Sequence, residues 1–259
     1  MNHTTQHRLP VHDHRPGADP TLVFLHYWGG SARTWELVIT RLTGRSTLSI
    51  DFRGWSRSSD LPGPYTLEQL AQDTLEVIEA AGLTDYVLVG HSMGGKVAQL
   101  VAATHPKGLA GLVLVGSGPA KPAAEITPEY RAGLSRAYDS NETAAGARDT
   151  VLSATALTEE LKAQVVTDSR ASAPGARTEW PLHGIAQDIT SQTKQIDVPV
   201  LVIAGEEDQV EPTKLLRQNL LPYLANAQFD VISATGHLIP LEAPDRLTAL
   251  ITAFTAAAE

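Results

Sequence analysis

Val87-Leu88-Val89-Gly90-His91-Ser92-Met93-Gly94-Gly95-Lys96-Val97-Ala98 is the stretch on which the reading of this chain depends. The β-branched run Val87–Val89 suits a short strand covered on both faces, and Val97, Leu100 and Val101 recur at helical intervals. Between them stands Gly90-x-Ser92-x-Gly94, so the predicted order is strand, sharp turn, helix. In a nucleophile elbow the glycines remove Cβ atoms where strand and helix crowd together, and the serine is held in a strained conformation with its hydroxyl outward. The helix behind it adds a positive dipole end and unpaired N–H groups, which aim the Met93 amide at an oxygen gaining negative charge. Alone, the motif also describes a Gly-rich turn with a solvated serine. The apolar strand before it and the helix after it are the context that catalysis requires.

Composition narrows the field. A chain of 259 residues, 42% hydrophobic and 19% charged, can bury a large core and has room for an inserted segment. No apolar run approaches the roughly 20 residues of a membrane helix, so no membrane association is expected. Met1 to Pro10 lacks the apolar core of a signal peptide, which predicts a cytoplasmic protein. The net charge of −9 is spread without blocks, and the Lys and Arg residues form no phosphate-binding stripe, so nucleic acid is not an expected partner. There is no cysteine, which excludes disulfides, thiolate metal sites and a cysteine nucleophile. His12-Asp13-His14 reads as exposed surface, and no metal is expected.

Outward from the elbow, apolar strands alternate with helical patterns. Leu9 to Val11 with a turn at Arg15-Pro16-Gly17 suggests at most an edge hairpin. Thr21–Leu25 is a buried strand ending at His26-Tyr27-Trp28-Gly29-Gly30. Ser31 offers an N-cap for a helix with Trp35, Val38, Ile39 and Leu42 on one face, closed by Gly44. The strand Thr47–Ile50 leads into the loop Asp51-Phe52-Arg53-Gly54-Trp55-Ser56-Arg57-Ser58. Thr66 and Gln69 form a capping box for a helix that stops at Gly82. Leu112–Val115 is the strand after the elbow helix. From about Ala120 to Gln195 no buried strand appears, while Thr127-Pro128-Glu129 and Thr158-Glu159-Glu160 are helix starts. Strands resume at Val198–Ala204 and Phe229–Ile232, separated by a helix near Pro212–Leu221, and a last helix runs from Pro244 to Phe254 before a fraying tail. This predicts an α/β fold: a mostly parallel twisted sheet with helices on both faces, formed by residues 1–119 and 196–259, and a helical lid at 120–195. Loops and insertions at the strands' carboxyl ends lie over the active site, so the lid supplies the substrate pocket.

A serine hydroxyl needs a base within about 2.6–3.2 Å and a third group to orient that base. The strand Val200–Ala204 ends in Gly205-Glu206-Glu207-Asp208, and the next strand ends in Ser233-Ala234-Thr235-Gly236-His237. Acid and imidazole therefore arrive at the sheet edge that carries Ser92. The order Ser92, Asp208, His237 is that of hydrolases with this elbow, with Glu207 the rival acid.

With these loops in place, the chain resembles the α/β-hydrolase superfamily over nearly its whole length outside the lid. The resemblance rests on Gly90-His91-Ser92-Met93-Gly94-Gly95, Asp51-Phe52-Arg53-Gly54, Gly205-Glu206-Glu207-Asp208, and Gly236-His237 with Glu242-Ala243-Pro244. It implies a catalytic triad of Ser92, His237 and Asp208 and an oxyanion hole from the backbone N–H groups of Met93 and Trp28. The sequence departs from the family at Tyr27, where glycine is usual, and at Ser56, which replaces a glycine of the Arg-Gly-x-Gly loop; Tyr27 is the other source of the second amide. His26, Tyr27, Trp28, Trp180 and Leu238 are candidate pocket residues, and lid residues such as Leu134 and Leu152 make the pocket apolar. The expected function is hydrolysis of a small, largely apolar ester or lactone through an acyl-enzyme, without a cofactor. Carbon–carbon bond hydrolysis and perhydrolysis on the same triad stay open, as does a ligand sensor with a slow or vestigial triad.

Overall fold

The computed structural model describes residues 8–256. Its seven-stranded sheet comprises β1 (His12–Arg15), β2 (Ala18–Leu25), β3 (Arg45–Ile50), β4 (Tyr86–His91), β5 (Leu109–Val115), β6 (Val200–Gly205) and β7 (Ala227–Ile232), in the order β1-β3-β2-β4-β5-β6-β7. All neighbours are parallel except β1, which runs antiparallel to β3. The predicted N-terminal hairpin is corrected here: β1 pairs with β3, His12 opposite Ile50, and not with the strand that follows it.

Alternation along the strands sorts the core into two layers, because successive side chains of a strand point to opposite faces. Val23, Leu25, Leu88, Leu112 and Val202 face the helices Leu67–Ala80 and Met93–Ala102. Leu22, Phe24, Val87, Val89, Val113 and Ile203 face Trp35, Val38, Leu247 and Phe254 on the other side. Full burial of each such side chain contributes about 1.5–3 kcal/mol, so both faces must stay covered. The strands therefore read as unbroken apolar runs.

Local signals act largely as expected. Ser31 caps the turn at Ala32–Trp35 by accepting from the Arg33 amide, and Gly44 and Gly82 close helices at φ +79° and +67°. Thr66 caps Leu67–Ala80 through the Gln69 amide, but the box is not reciprocal, because the Gln69 side chain donates to Asp73 instead. Asp73 is committed to a buried bidentate pair with Arg53, at 2.7 Å for both contacts, which anchors the loop after β3. The last helix extends to Ala256 with Thr255 buried, so that end is packed and does not fray at Thr255; residues 257–259 of the expected tail, like residues 1–7, lie outside the described residues.

Among the described residues no strand lies between Val115 and Val200. That interval holds the helices Pro128–Leu134, Asn141–Ala147, Glu159–Arg170 and Pro174–Leu182, with shorter turns between them. It is fastened to the loops at the sheet's carboxyl edge. Asp168 accepts from the Ser31 hydroxyl at 2.8 Å and pairs with Arg33; the Trp28 indole donates to Arg177 O at 2.9 Å; the Ala173 amide donates to Gly54 O at 2.8 Å. Among the described residues no helix is long and apolar enough to cross a membrane.

Candidate active site

The strand register brings the relevant chain ends to one edge. Leu25 lies beside Gly90, His91 beside Val115, Val115 beside Ile203, and Gly205 beside Ile232. The residues that follow, from His26, Ser92, Gly116, Asp208 and His237, thus emerge together.

Ser92 sits at the first of these ends with φ 54° and ψ −116°, the strained geometry that the elbow motif predicts. Such a conformation costs on the order of 1–3 kcal/mol and persists only where the surroundings fix it. Here the Ser92 amide donates to Val115 O at 3.0 Å, and its carbonyl accepts from Gly95, Lys96 and Gly118. The flanking glycines are required by approach distance: a Cβ on Gly90 would stand 2.4 Å from Gly94 O, and one on Gly94 would stand 2.5 Å from His26 O. The helix Met93–Ala102 is thereby pressed against the 26–28 loop, and Met93 opens it with an N–H that has no intrahelical acceptor.

The loop beyond β2 explains the departure at Tyr27. Gly30 N donates to Tyr27 O at 2.9 Å across a turn whose third residue, Gly29, has φ +90°, so the left-handed conformation falls on glycine and Tyr27 is spared it. Ser56, by contrast, takes φ +46°, a left-handed conformation that favours glycine. It is held there by its amide, which donates to Ala171 O at 2.6 Å.

Asp208 and His237 form the second part of the site. His237 Nδ1 lies 2.9 Å from Asp208 Oδ2, with both side chains buried, and Asp208 Oδ1 accepts from the amides of Val210 and Glu211 at 2.8 and 2.9 Å. Burial works to raise the Asp208 pKa, but the imidazole and the two amides outweigh it and hold the carboxyl below its ordinary range. Glu207, the rival acid, is exposed. Beneath His237, His91 donates from Nε2 to the His237 carbonyl at 2.8 Å. Glu242 accepts from the amides of Ala154, Thr155 and Gly236, which fixes the histidine loop against the helical segment.

Ser92 and His237 border one cavity of about 430 Å³ with Tyr27, Trp28 and Trp180. The helical segment contributes Tyr130, Leu134, Tyr138 and Leu152, so most of the wall is apolar. Two expected pocket residues are not part of it. His26 is fully buried behind the wall, donating from Nδ1 to Tyr27 O at 2.8 Å and accepting at Nε2 from the Phe52 amide at 3.1 Å; burial pushes its pKa down and it acts as a neutral brace between two loops. Leu238 is likewise fully buried, and its side chain joins Tyr27, Leu152 and Leu241 in a small apolar cluster.

Sequence reading passed over two charged residues at the site. Lys96, buried within the elbow helix, donates to Gly184 O at 3.2 Å and Gln187 O at 2.5 Å and lies 5.9 Å above the Trp180 ring. Burial lowers its pKa to about 8, against the pull of Glu211 and Asp188. Glu211 is 4% exposed and borders the cavity. A signal for Lys96 was present, since it falls on the apolar face of its helix; Glu211 follows an acid loop and carries no pattern that marks it.

A family model described as "Alpha/beta hydrolase family" matches residues 22–250. The pimeloyl-[acyl-carrier protein] methyl ester esterase of Sodalis glossinidius is 31% identical over 231 residues, 83% of this chain and 85% of that protein. The 2-succinyl-6-hydroxy-2,4-cyclohexadiene-1-carboxylate synthase of Enterobacter sp. (strain 638) is 27% identical over 247 residues, 92% of each chain. Among solved structures, the esterase EaEST from Exiguobacterium antarcticum superposes with a TM-score of 0.86 at 22% identity, covering 94% of both chains, and shares the fold.

Proposed function

Because this chain belongs to the alpha/beta hydrolase family, we propose that it is a serine hydrolase that cleaves small, largely apolar carboxylic esters or lactones. The observation that carries the reading is the buried His237–Asp208 pair, at 2.9 Å, on the cavity that Ser92 also borders. Relatives named as esterases support ester bonds as the target.

In this reading Asp208, ionised, accepts from Nδ1–H of His237 and leaves the Nε2 lone pair as the base. His237 takes the proton of Ser92 as its oxygen attacks the carbonyl carbon, then returns that proton to the departing alkoxide. Water hydrolyses the acyl-enzyme by the same route. The N–H groups of Met93 and Trp28 hold the oxyanion; where a single side-chain donor of this kind is removed in a serine protease, the barrier rises by about 2.7–4 kcal/mol. Residues 120–195 act as a lid on a core of 1–119 and 196–259, with Trp180 and Tyr138 on the cavity wall.

The test is turnover of p-nitrophenyl acetate and longer acyl homologues by the wild type, Ser92→Ala and Asp208→Asn. Ser92→Ala is expected to lose the activity with its fold intact, and Asp208→Asn to lower kcat by roughly 10⁴-fold through the wrong histidine tautomer. Undiminished turnover by Ser92→Ala overturns the assignment.

A further inference from the structure

We propose that Glu211 makes this cavity a receptor for esters that carry a cationic nitrogen, a substrate class that rests on the hydrolase reading above. The side chain is almost wholly buried, yet among the described residues no donor hydrogen-bonds its carboxyl oxygens; only its amide is engaged, with Asp208. A buried carboxyl retained for structure has donors around it, as Asp51 and Asp73 do. Glu211 instead faces two spaces: the catalytic cavity, and an adjoining one of about 400 Å³ that shares Tyr130, Ile185 and Val210 with it.

The surroundings fit a cation. Aromatic rings of Tyr27, Trp28, Tyr130 and Trp180 line the catalytic cavity, Glu129 adds a second carboxyl on an exposed part of its wall, and no Lys or Arg among the described residues lines it. Aromatic faces with a carboxylate are the combination that binds a desolvated ammonium. Lys96, the cation that acts on Glu211 among the described residues, is committed to the carbonyls of Gly184 and Gln187. Burial and the nearby Asp208 raise the Glu211 pKa, Lys96 opposing, and a cation bound beside the carboxyl favours its ionised form. Carboxylate-bearing esters find no Lys or Arg on the wall among the described residues and meet the negative charge of Glu129.

The experiment compares p-nitrophenyl esters whose acyl chains end in trimethylammonium, in the neutral isosteric tert-butyl group, or in carboxylate, with wild type and Glu211→Gln. Wild type is expected to favour the cationic over the neutral ester by about tenfold or more in kcat/KM, chiefly through KM. The carboxylate ester is expected to be the poorest. Glu211→Gln is expected to lower the cationic-to-neutral ratio about tenfold, a loss of ~1.4 kcal/mol in discrimination. A wild-type ratio near one, or a ratio that Glu211→Gln leaves unchanged, overturns the proposal. Calorimetric titration of Ser92→Ala, with and without Glu211→Gln, by the same esters reads cation selectivity independently of turnover. If no ester is cleaved, the hydrolase reading fails, and equal affinity for cationic and neutral esters sinks the Glu211 proposal separately.

Discussion

The imidazole of His91 lies under that of His237, ring centroids 5.1 Å apart, and donates from Nε2 to the His237 backbone carbonyl at 2.8 Å. One histidine thus positions the loop that carries the other. Burial, followed by the proximity of His237, depresses the His91 pKa to about 3, and its Nδ1 is buried without a partner.

Acid should therefore unfold this protein partly through His91. Its folded pKa lies below the ordinary value of 6.5, so between the two the unfolded chain binds a proton that the folded chain refuses, and stability falls as pH drops from about 6.5 toward 3. The loss between pH 6 and 4 is on the order of 2 kcal/mol. His91→Gln, which keeps a donor and cannot titrate, is expected to move the acid-unfolding midpoint to lower pH, measured by circular dichroism.

Glu211 works in the opposite direction. Its folded pKa is raised well above 4.5, so above that pH the unfolded chain releases a proton that the folded chain retains, and stability declines as pH rises. Glu211→Gln should be more stable than wild type at neutral pH in urea titrations, with the advantage vanishing as pH falls to about 4.

Removing the Lys96 ammonium strands two carbonyls. Lys96→Met leaves Gly184 O and Gln187 O without their shared donor under the helical segment, at an expected cost of about 1–3 kcal/mol. Because Lys96 also lies over Trp180, KM should rise more than kcat falls. Denaturation and steady-state kinetics on the same preparation check both effects.

Ser56 pays a backbone penalty that glycine avoids. At φ +46°, an L side chain costs on the order of 1–2 kcal/mol, and part of this is returned by the lower entropy of the unfolded serine. Ser56→Gly is expected to stabilise by about 0.5–1 kcal/mol, measured as a rise in Tm.

The sheet was legible because burial on both faces demands continuous apolar strands, and Val87–Val89 or Leu112–Val115 admit little else. Ser92 was legible for a related reason: the turn tolerates only glycine at Gly90 and Gly94, since backbone occupies the space of a Cβ within 2.4–2.5 Å. Local chemistry thus determined the strand order along the chain, the elbow, and the loops that carry Asp208 and His237. Only the tertiary structure buries Asp208 against His237 and leaves Glu207 exposed. It likewise turned His26 and Leu238 into braces, paired β1 with β3, and placed Lys96 and Glu211 beside the cavity. Those outcomes depend on which distant segments meet, and residue type and spacing along one chain carry no record of a side chain's neighbours across the fold.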